Sequence, residues 1–328
     1  MRILFAGSGT FGLPSLRALV NGGHEVVMVA TQPDRPAGRG RAVRIGPIKR
    51  FAKDQGIPVF QPERVNAPAA VRTIRGVQPD LLLVIAYGQK IGSDLLAMPT
   101  HGAINLHGSL LPKYRGAAPI NWAIMNGEVE TGLTMIQMVD EMDAGDILGQ
   151  RATPIGQNEV AGELHDRLAD LGVRLVTEIV SDIRLEEVQR RRQNETQVTL
   201  APRLTKNEGC IDWDKPASDA YNHIRGVTPW PGAFTFLPSA GRRKRPQRVV
   251  VDRAIASAAS AGKAEPGTVL AAGPDGIDVA CARGAVRVLE LTPAGKRQMV
   301  AVDFLHGHPL KAGDRFVGPE QKASARRD

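Results

Sequence analysis

Short apolar runs alternate with helical spacing over roughly the first 185 residues, and this alternation limits the fold more than any other feature. Residues 3–6, 26–30 and 81–86 are continuous apolar runs, and the last is typical of a strand that is covered on both faces. Leucines and isoleucines then recur every three or four positions from Leu164 to Ile183, which predicts a long amphipathic helix. The pattern predicts an α/β domain built on a parallel sheet.

The pattern changes after residue 188. Residues 189–204 are charged and aperiodic, so we predict a linker there, between a first domain of residues 1–188 and a second domain of residues 205–318. The second domain contains about five short β-like runs separated by turns, which predicts a small barrel. We expect the Ala/Ser-rich residues 254–264 to form a mobile surface loop and residues 319–328 to form an unstructured tail.

Composition excludes several classes of protein. No apolar run reaches the ~18 residues of a membrane helix, and the N-terminal residues lead into a glycine loop, unlike a signal peptide. The two cysteines are far apart and lack metal-ligand spacing, so we expect a reducing, cytoplasmic location without a disulfide framework or a zinc site. Residues 205–328 hold 19 Lys+Arg against 13 Asp+Glu, which favours a polyanionic partner, although the same charge could serve solubility alone.

A glycine-rich turn follows the first predicted strand. Residues 7–12, GSGTFG, have the G-x-G-x-x-G spacing of dinucleotide-binding loops. The acid that should end the second strand and hold a ribose hydroxyl is replaced by Thr31-Gln32-Pro33, and Asp34 lies in a proline-flanked loop. We therefore favour a tight turn, which lets the strand and the helix pack closely, over a nicotinamide site.

Asn105 and His107 lie two residues apart in a predicted strand, so their side chains project from the same face. They stand near its carboxyl end, where parallel sheets form ligand crevices. An amide and an imidazole together can donate hydrogen bonds to one developing oxyanion. The following loop, with Pro112 and Gly116, suits a flat ligand. The pair predicts a catalytic site, and the alternative is a structural histidine.

Four acids surround the next predicted turn, namely Asp140, Glu141, Asp143 and Asp146. A carboxylate beside His107 would stabilise the imidazolium and hold the ring in one orientation. An acid that only caps the turn would instead accept hydrogen bonds from backbone amides. Spacing alone does not choose among the four acids.

Residues 105–120, NLHGSLLPKYRGAAPI, and residues 142–147, MDAGDI, resemble the signature of the folate-dependent formyltransferases. The resemblance implies a Rossmann-like first domain that binds no nucleotide and a smaller C-terminal β-barrel of the oligonucleotide-binding (OB) type. It also implies 10-formyltetrahydrofolate as the formyl donor, and no metal. The implied site residues are catalytic Asn105, His107 and Asp143 and the folate contacts Ser109, Leu110, Leu111 and Pro112. Ala144 departs mildly from the Asp-Thr-Gly that many relatives have.

Residues 31–41, TQPDRPAGRGR, resemble an inserted loop with which some members of this family reach the acceptor end of a tRNA. The implied tRNA contacts, interleaved with Gly and Pro and able to follow phosphates, are Arg35, Arg39, Arg41 and Arg44. Residues 201–206, 211–213, 224–226 and 229–234 are similar to the start of the family's C-terminal domain, so the resemblance spans about residues 1–318. We therefore expect a monomeric enzyme that formylates the α-amine of initiator methionyl-tRNA.

Four other functions stay open at this point. A formyltransferase for a small amine, such as a UDP-amino sugar, would share the same three catalytic residues, and a formyl-folate hydrolase would use water as the acceptor. A nicotinamide oxidoreductase would rest on the glycine loop alone. A tRNA-binding protein without activity would leave the Asn, His and Asp unexplained. In the expected reaction, Asn105 and His107 donate to the oxyanion of a tetrahedral intermediate and Asp143 supports His107.

Overall fold

A seven-stranded sheet organises the N-terminal half of the chain, whose computed structural model describes residues 1–37, 42–43, 45–237 and 246–318. The strands are β1 (Arg2–Gly7), β2 (Glu25–Ala30), β3 (Val59–Phe60), β4 (Leu81–Ile85), β5 (Ala103–His107), β6 (Glu130–Gln137) and β7 (Ile147–Pro154). Their order across the sheet is β7-β6-β5-β4-β1-β2-β3. The first five strands run parallel to one another, and β6 and β7 are antiparallel to their neighbours. This confirms the predicted parallel sheet.

Helices connect most of these strands, and one more helix follows the last strand. They are α1 (Leu13–Asn21), α2 (Pro47–Asp54), α3 (Pro68–Gly76), α4 (Ser93–Leu96), α5 (Pro119–Met125) and α6 (Ala161–Leu185). A proline in its first turn starts α1, and Gly22 ends it. Every residue of β4 is buried, as expected for a strand covered on both faces. Two short strand pairs lie outside the main sheet, Pro36–Ala37 with Ala42–Val43 and Arg115–Gly116 with Leu200–Ala201.

The strand order reverses direction between β1 and β4. From β1 the chain first builds β2 and β3 on one side, and then returns to build β4 and β5 on the other side. Open parallel sheets bind ligands outside the carboxyl ends of their strands near such a reversal. The predicted residues Asn105 and His107 lie in β5, beside β4, and His107 is the last residue of its strand.

A second, antiparallel sheet forms in the C-terminal part of the chain. Its strands are β8 (Phe234–Leu237), β9 (Gln247–Ser257), β10 (Val269–Gly273), β11 (Gly276–Ala280), β12 (Ala285–Pro293) and β13 (Met299–Val300). The order is β8-β9-β12-β11-β10, and β13 pairs with β12. Two helices accompany the sheet, α7 (Ala217–Gly226) and α8 (Ala301–Gly307). Valines of β9, β11 and β12 and Phe304 of α8 are fully buried in its core.

Residues 313–317 close this sheet on itself. Phe236 of β8 bridges Val317, with backbone N–H groups donating in both directions at 3.2 and 2.9 Å. On the other edge, Thr268 bridges Arg315 and the N–H of Val269 donates to Asp314 at 2.7 Å. The two edge strands are thus joined through one segment, which satisfies edge groups that an open sheet would leave unpaired. The C-terminal sheet is therefore the small barrel that the sequence predicts.

The prediction of a surface loop at residues 254–264 is wrong for its first four residues. Residues 254–257 extend β9, and Ala256 and Ser257 pair with Val286 and Ala285 of β12. Ala254 is buried in the core of this sheet, where it pairs with Val288 of β12.

The chain divides into two compact units, each of which packs mainly against itself. Among the described residues, one unit consists of those within 1–119, 130–154 and 165–202, and the other of those within 120–129, 155–164 and 203–318. Residues 189–202, predicted as a linker, belong to the first unit. The predicted tail, residues 319–328, lies outside the described residues.

Candidate active site

His107 has both ring nitrogens directed at protein oxygen atoms. Its Nε2 lies 2.8 Å from the carbonyl oxygen of Tyr114, and since a carbonyl only accepts, Nε2 is the protonated donor. Its Nδ1 faces Oδ2 of Asp143 at 3.6 Å, which is longer than a direct hydrogen bond. The imidazole is buried and fixed in one orientation by these two groups.

Asp143 is the acid that the structure brings to His107. It lies in the turn between β6 and β7 with a φ of +55°, a left-handed conformation that is uncommon for a residue with a side chain. Its Oδ2 also accepts a hydrogen bond of 2.8 Å from the backbone N–H of Gly116. Asp140 and Glu141, by contrast, are exposed. The geometry therefore distinguishes Asp143 from the neighbouring acids, which spacing alone does not.

Asn105 supplies an uncommitted amide on the same strand. Its backbone is held between Val84 of β4 and Ile136 of β6, so the position of the side chain is set by the centre of the sheet. The residue is half-buried, and its side chain has no hydrogen-bond partner among the described residues. An amide held in this way can donate to a ligand without first breaking a bond within the protein.

The predicted folate contacts divide into two pairs. The hydroxyl of Ser109 is buried and donates to the carbonyl of Lys113 at 2.6 Å, and the side chain of Leu111 packs in a small apolar cluster. Leu110 and Pro112 are only partly buried. The structure thus offers apolar surface at two of the four positions, and it uses the other two to hold the loop.

Four residues of this region were not predicted from the sequence to hold the catalytic side chains, although Gly116 was named as part of the loop that suits a flat ligand. Tyr114 gives His107 its acceptor, Gly116 gives Asp143 a donor, and Gln193 bonds the backbone of the Asp143 turn. Arg115 contacts Gln193 in turn. Three of the four lie in the predicted ligand loop and one in the predicted linker, and no local spacing distinguishes them from their neighbours.

The glycine loop that resembles a dinucleotide site has a packing role. A Cβ on Gly7 would lie 2.6 Å from the ring of Phe5 and 2.9 Å from the carbonyl oxygen of Ile85, so only glycine fits between β1 and β4. Asp34, the acid nearest in spacing to a ribose ligand, is engaged by Lys49, whose hydrogen bond lowers the pKa of Asp34. Both observations favour the tight-turn interpretation of the loop.

Only one of the four predicted tRNA contacts lies within the described residues. The guanidinium of Arg35 is largely exposed and lies 3.4 Å from the equally exposed carboxylate of Glu63, and such surface pairs are weak. Arg39, Arg41 and Arg44 lie outside the described residues. Arg35 can therefore reach a phosphate at little energetic cost.

The described residues lack two other kinds of feature. No three His, Cys, Asp or Glu side chains among them are grouped so that they could hold a metal ion. Within the same ranges, no helix combines the length and the apolar character needed to cross a membrane.

Comparison with known proteins matches both halves of the chain. The family described as formyl transferase matches residues 1–180, and its C-terminal domain matches residues 203–309. The methionyl-tRNA formyltransferase of Citrifermentans bemidjiense is 43% identical over 313 residues, which is 95% of each chain. The protein of the same name from Geobacter metallireducens is 44% identical over 316 residues, 96% of this chain and 98% of that one.

The fold also resembles solved structures. WlaRD, a sugar 3N-formyltransferase crystallised with dTDP and 5-N-formyl-THF, superposes with a TM-score of 0.65 over 90% of this chain and 99% of that chain. At 17% identity this likeness speaks for the fold alone. The sequence identities over nearly the full length carry the assignment, and the chain belongs to the formyl transferase family and, within it, to the methionyl-tRNA formyltransferases.

Proposed function

We propose that the chain transfers a formyl group from 10-formyltetrahydrofolate to the α-amine of initiator methionyl-tRNA, with Asn105, His107 and Asp143 as the catalytic residues. The observation that carries this proposal is the arrangement of the three side chains where β5 meets the turn after β6. An uncommitted amide, an oriented imidazole and a carboxylate 3.6 Å from that imidazole occur together there. The names of the relatives support the same reaction.

The chemistry follows from what these groups can donate and accept. The neutral amine attacks the formyl carbon, a C–N bond forms, and the carbonyl oxygen becomes an oxyanion. Asn105 donates its amide N–H to this oxygen, and His107, when both ring nitrogens carry a proton, donates from Nδ1, because Nε2 already donates to the Tyr114 carbonyl. Losing one such donor typically costs ~10²–10³ in rate. The attacking nitrogen then loses a proton, N10 gains one, and the C–N10 bond breaks.

Asp143 supports the proton transfer. Its Oδ2 and Nδ1 of His107 are too far apart for a direct hydrogen bond, so a water molecule or a substrate atom beside the pair can bond both groups. The carboxylate also balances the positive charge of the imidazolium while the oxyanion exists. Asp143 acts in this way as the acid–base partner of His107.

The folate donor and the tRNA acceptor are supported separately. WlaRD was crystallised with a formylated folate, and its fold is shared by this chain. We propose that Leu110 and Pro112 contact the folate through their partly exposed side chains and that Ser109 and Leu111 hold the loop. For the tRNA, the support is the basic character of residues 205–328 and the exposed Arg35. The cytoplasmic location, the monomeric state and the reaction without a metal stay predictions.

The test is formyl transfer from 10-formyltetrahydrofolate, with methionyl-tRNA, a UDP-amino sugar and water as competing acceptors. We expect transfer to the tRNA, at a rate that falls steeply as salt concentration rises, because phosphate contacts release counterions. We expect Asn105→Ala and His107→Ala each to lose at least ~10² in kcat. His101→Ala, a second histidine close to the start of β5, is the matched control and should keep wild-type activity.

A different result would contradict each part of the proposal. Transfer only to the sugar amine would keep the three catalytic residues and reject the tRNA. Wild-type kcat in either the Asn105 or the His107 variant would reject that residue as catalytic.

A further inference from the structure

Residues 191–201, which we name the strap, contact three segments of the candidate active site. These are the start of β7, the turn that carries Asp143, and residues 114–116. At its start, the backbone of Arg191 exchanges two hydrogen bonds with Ile147, the first residue of β7, at 2.8 and 2.9 Å. At its end, Leu200 and Ala201 pair in parallel with Arg115 and Gly116. The strap is therefore tied to both sides of the catalytic pair, although its sequence predicts a linker.

Gln193 of the strap holds the turn that carries Asp143. Its Nε2 donates one hydrogen bond to the carbonyl of Asp143 at 2.7 Å and another to the carbonyl of Gly145 at 2.8 Å. Both amide hydrogens are thus used on one turn. Because Asp143 has a left-handed φ, a strained conformation for a residue with a side chain, bonds from outside the turn help to hold it in place.

Arg115 fixes the side chain of Gln193 from the other side. Its Nε and Nη2 donate to Oε1 of Gln193 at 3.1 and 2.9 Å. The same buried guanidinium makes two hydrogen bonds to Glu195, at 2.7 and 3.1 Å, and they lower the pKa of that carboxyl. With its oxygen and both of its amide hydrogens engaged, Gln193 has a single satisfied orientation.

Thr199 of the strap holds the partner of His107. Its hydroxyl oxygen accepts a hydrogen bond of 2.8 Å from the N–H of Tyr114, and its carbonyl accepts one of 2.9 Å from Arg115. Tyr114 also has a left-handed φ, of +63°, and its own carbonyl accepts the hydrogen bond from Nε2 of His107. Thr199 thus determines where the acceptor of His107 lies.

We propose that the strap is the positioning element of the catalytic pair, in which Gln193 sets the place of Asp143 and Thr199 sets the orientation of His107 through Tyr114. This inference rests on the proposed catalytic function of His107 and Asp143. Neither strap residue touches the reacting atoms. The two act on opposite sides of the 3.6 Å gap between Nδ1 and Oδ2, so the strap controls the width of that gap.

The experiment compares four strap variants in formyl transfer to methionyl-tRNA. Displacing a catalytic group by about 1 Å can cost ~10² in rate, so we expect Gln193→Ala and Thr199→Ala to lower kcat by ~10–10²-fold while KM for the tRNA stays within about threefold. Thr199→Ser keeps the hydroxyl acceptor and should restore kcat. Thr196→Ala is the matched control, because the only partner of the Thr196 hydroxyl among the described residues is Asn194, which also belongs to the strap.

A second readout follows the ring itself. The ¹⁵N chemical shifts of His107, assigned against the His107→Gln protein, report whether Nε2 still donates to the Tyr114 carbonyl. We expect Thr199→Ala to change them and Thr199→Ser and Thr196→Ala to leave them unchanged. If Gln193→Ala fails to fold, Gln193→Glu keeps the size of the side chain and its bonds to Arg115 but loses both donors, and it should lower kcat equally.

The outcomes separate the strap from the proposed function. Wild-type kcat in both alanine variants, with unchanged His107 shifts in Thr199→Ala, would overturn the strap inference. A wild-type protein that transfers nothing to the tRNA would overturn the proposed function, while the ¹⁵N shifts would still decide whether Thr199 orients His107.

Discussion

Gly145 provides a sharp test of how closely the Asp143 turn must be placed. It follows Asp143 by two residues and lies against β6, where a Cβ would come within 1.7 Å of the carbonyl oxygen of Gln137 and 2.9 Å of its carbonyl carbon. Both atoms belong to the backbone of Gln137, the last residue of β6, which pairs with Ile104 of β5, so they cannot move aside as a flexible side chain could. In Gly145→Ala, the turn must therefore be the part that moves.

The size of the effect follows from that distance. To reach ordinary van der Waals contact from 1.7 Å, the turn must shift by roughly 1.5–2 Å. Since a displacement of about 1 Å can cost ~10² in rate, Gly145→Ala should lower kcat by at least ~10², which corresponds to about 2.7 kcal/mol in the activation barrier. We expect a loss of about 1–3 kcal/mol in the free energy of unfolding, as for other overpacked sites.

Steady-state formyl transfer and urea unfolding measure the two quantities. Ala144→Ser adds one atom at the neighbouring, partly exposed position and should leave both unchanged. Asp143→Asn shows how far kcat falls when the carboxylate itself is removed. A Gly145→Ala enzyme with wild-type kcat, alongside an inactive Asp143→Asn enzyme, would refute the argument that the turn requires its observed place.

Two further predictions concern how the stability of the C-terminal unit changes with pH. Arg287 donates to both carboxylate oxygens of Asp278, at 2.8 and 2.9 Å, and these bonds lower the pKa of Asp278 below 3.8. As pH falls, Asp278 therefore takes up a proton in the unfolded chain before it does so in the folded protein. The stabilisation of the folded state is then lost as pH falls from about 4. Asp278→Asn should cost about 1–3 kcal/mol at pH 7 and less at pH 3 by urea unfolding, and an equal cost at both would contradict the reasoning. Burial lowers the pKa of His223 below 6.5, so the folded state loses stability as pH falls below about 6.5. The drop in Tm between about pH 7.5 and 5.5 should be smaller in His223→Gln, and an identical drop would exclude this histidine as its source.

The main elements of the fold were predictable because they depend on local pattern. The apolar run of β4 and the three- and four-residue spacing of α6 each describe one element that is buried in a recognisable way. The end of β9 was not predictable, since Ala254 and Ser257 have little hydrophobicity of their own and are fixed by pairing with β12. The closure of the barrel by residues 313–317 likewise depends on partners far away in the sequence.

The candidate site likewise contains residues that could be predicted from the sequence and residues that could not. Asn105 and His107 could be found because alternation along one strand places them on one face. Spacing could not distinguish Asp143 from Asp140. What places Asp143 beside His107 is its left-handed φ and its hydrogen bond from the N–H of Gly116, which comes from another part of the chain. Gln193 lies fifty positions beyond Asp143, in a segment without periodicity, and only the folded chain shows the contact.

The way in which the barrel closes has a consequence for synthesis of the chain. Phe236 of β8 bridges Val317, which is synthesised about 80 residues later. At ordinary rates of translation, about 4 to 16 s separate the synthesis of the two residues. The sheet of β1 to β7, by contrast, is complete in sequence by Pro154. During the waiting interval β8 is an edge strand with unpaired N–H and C=O groups, which can pair with another nascent chain. A pause in translation after β12 and before Val317, when β8 can already pair with β9, would therefore lengthen the period in which this edge is open to aggregation.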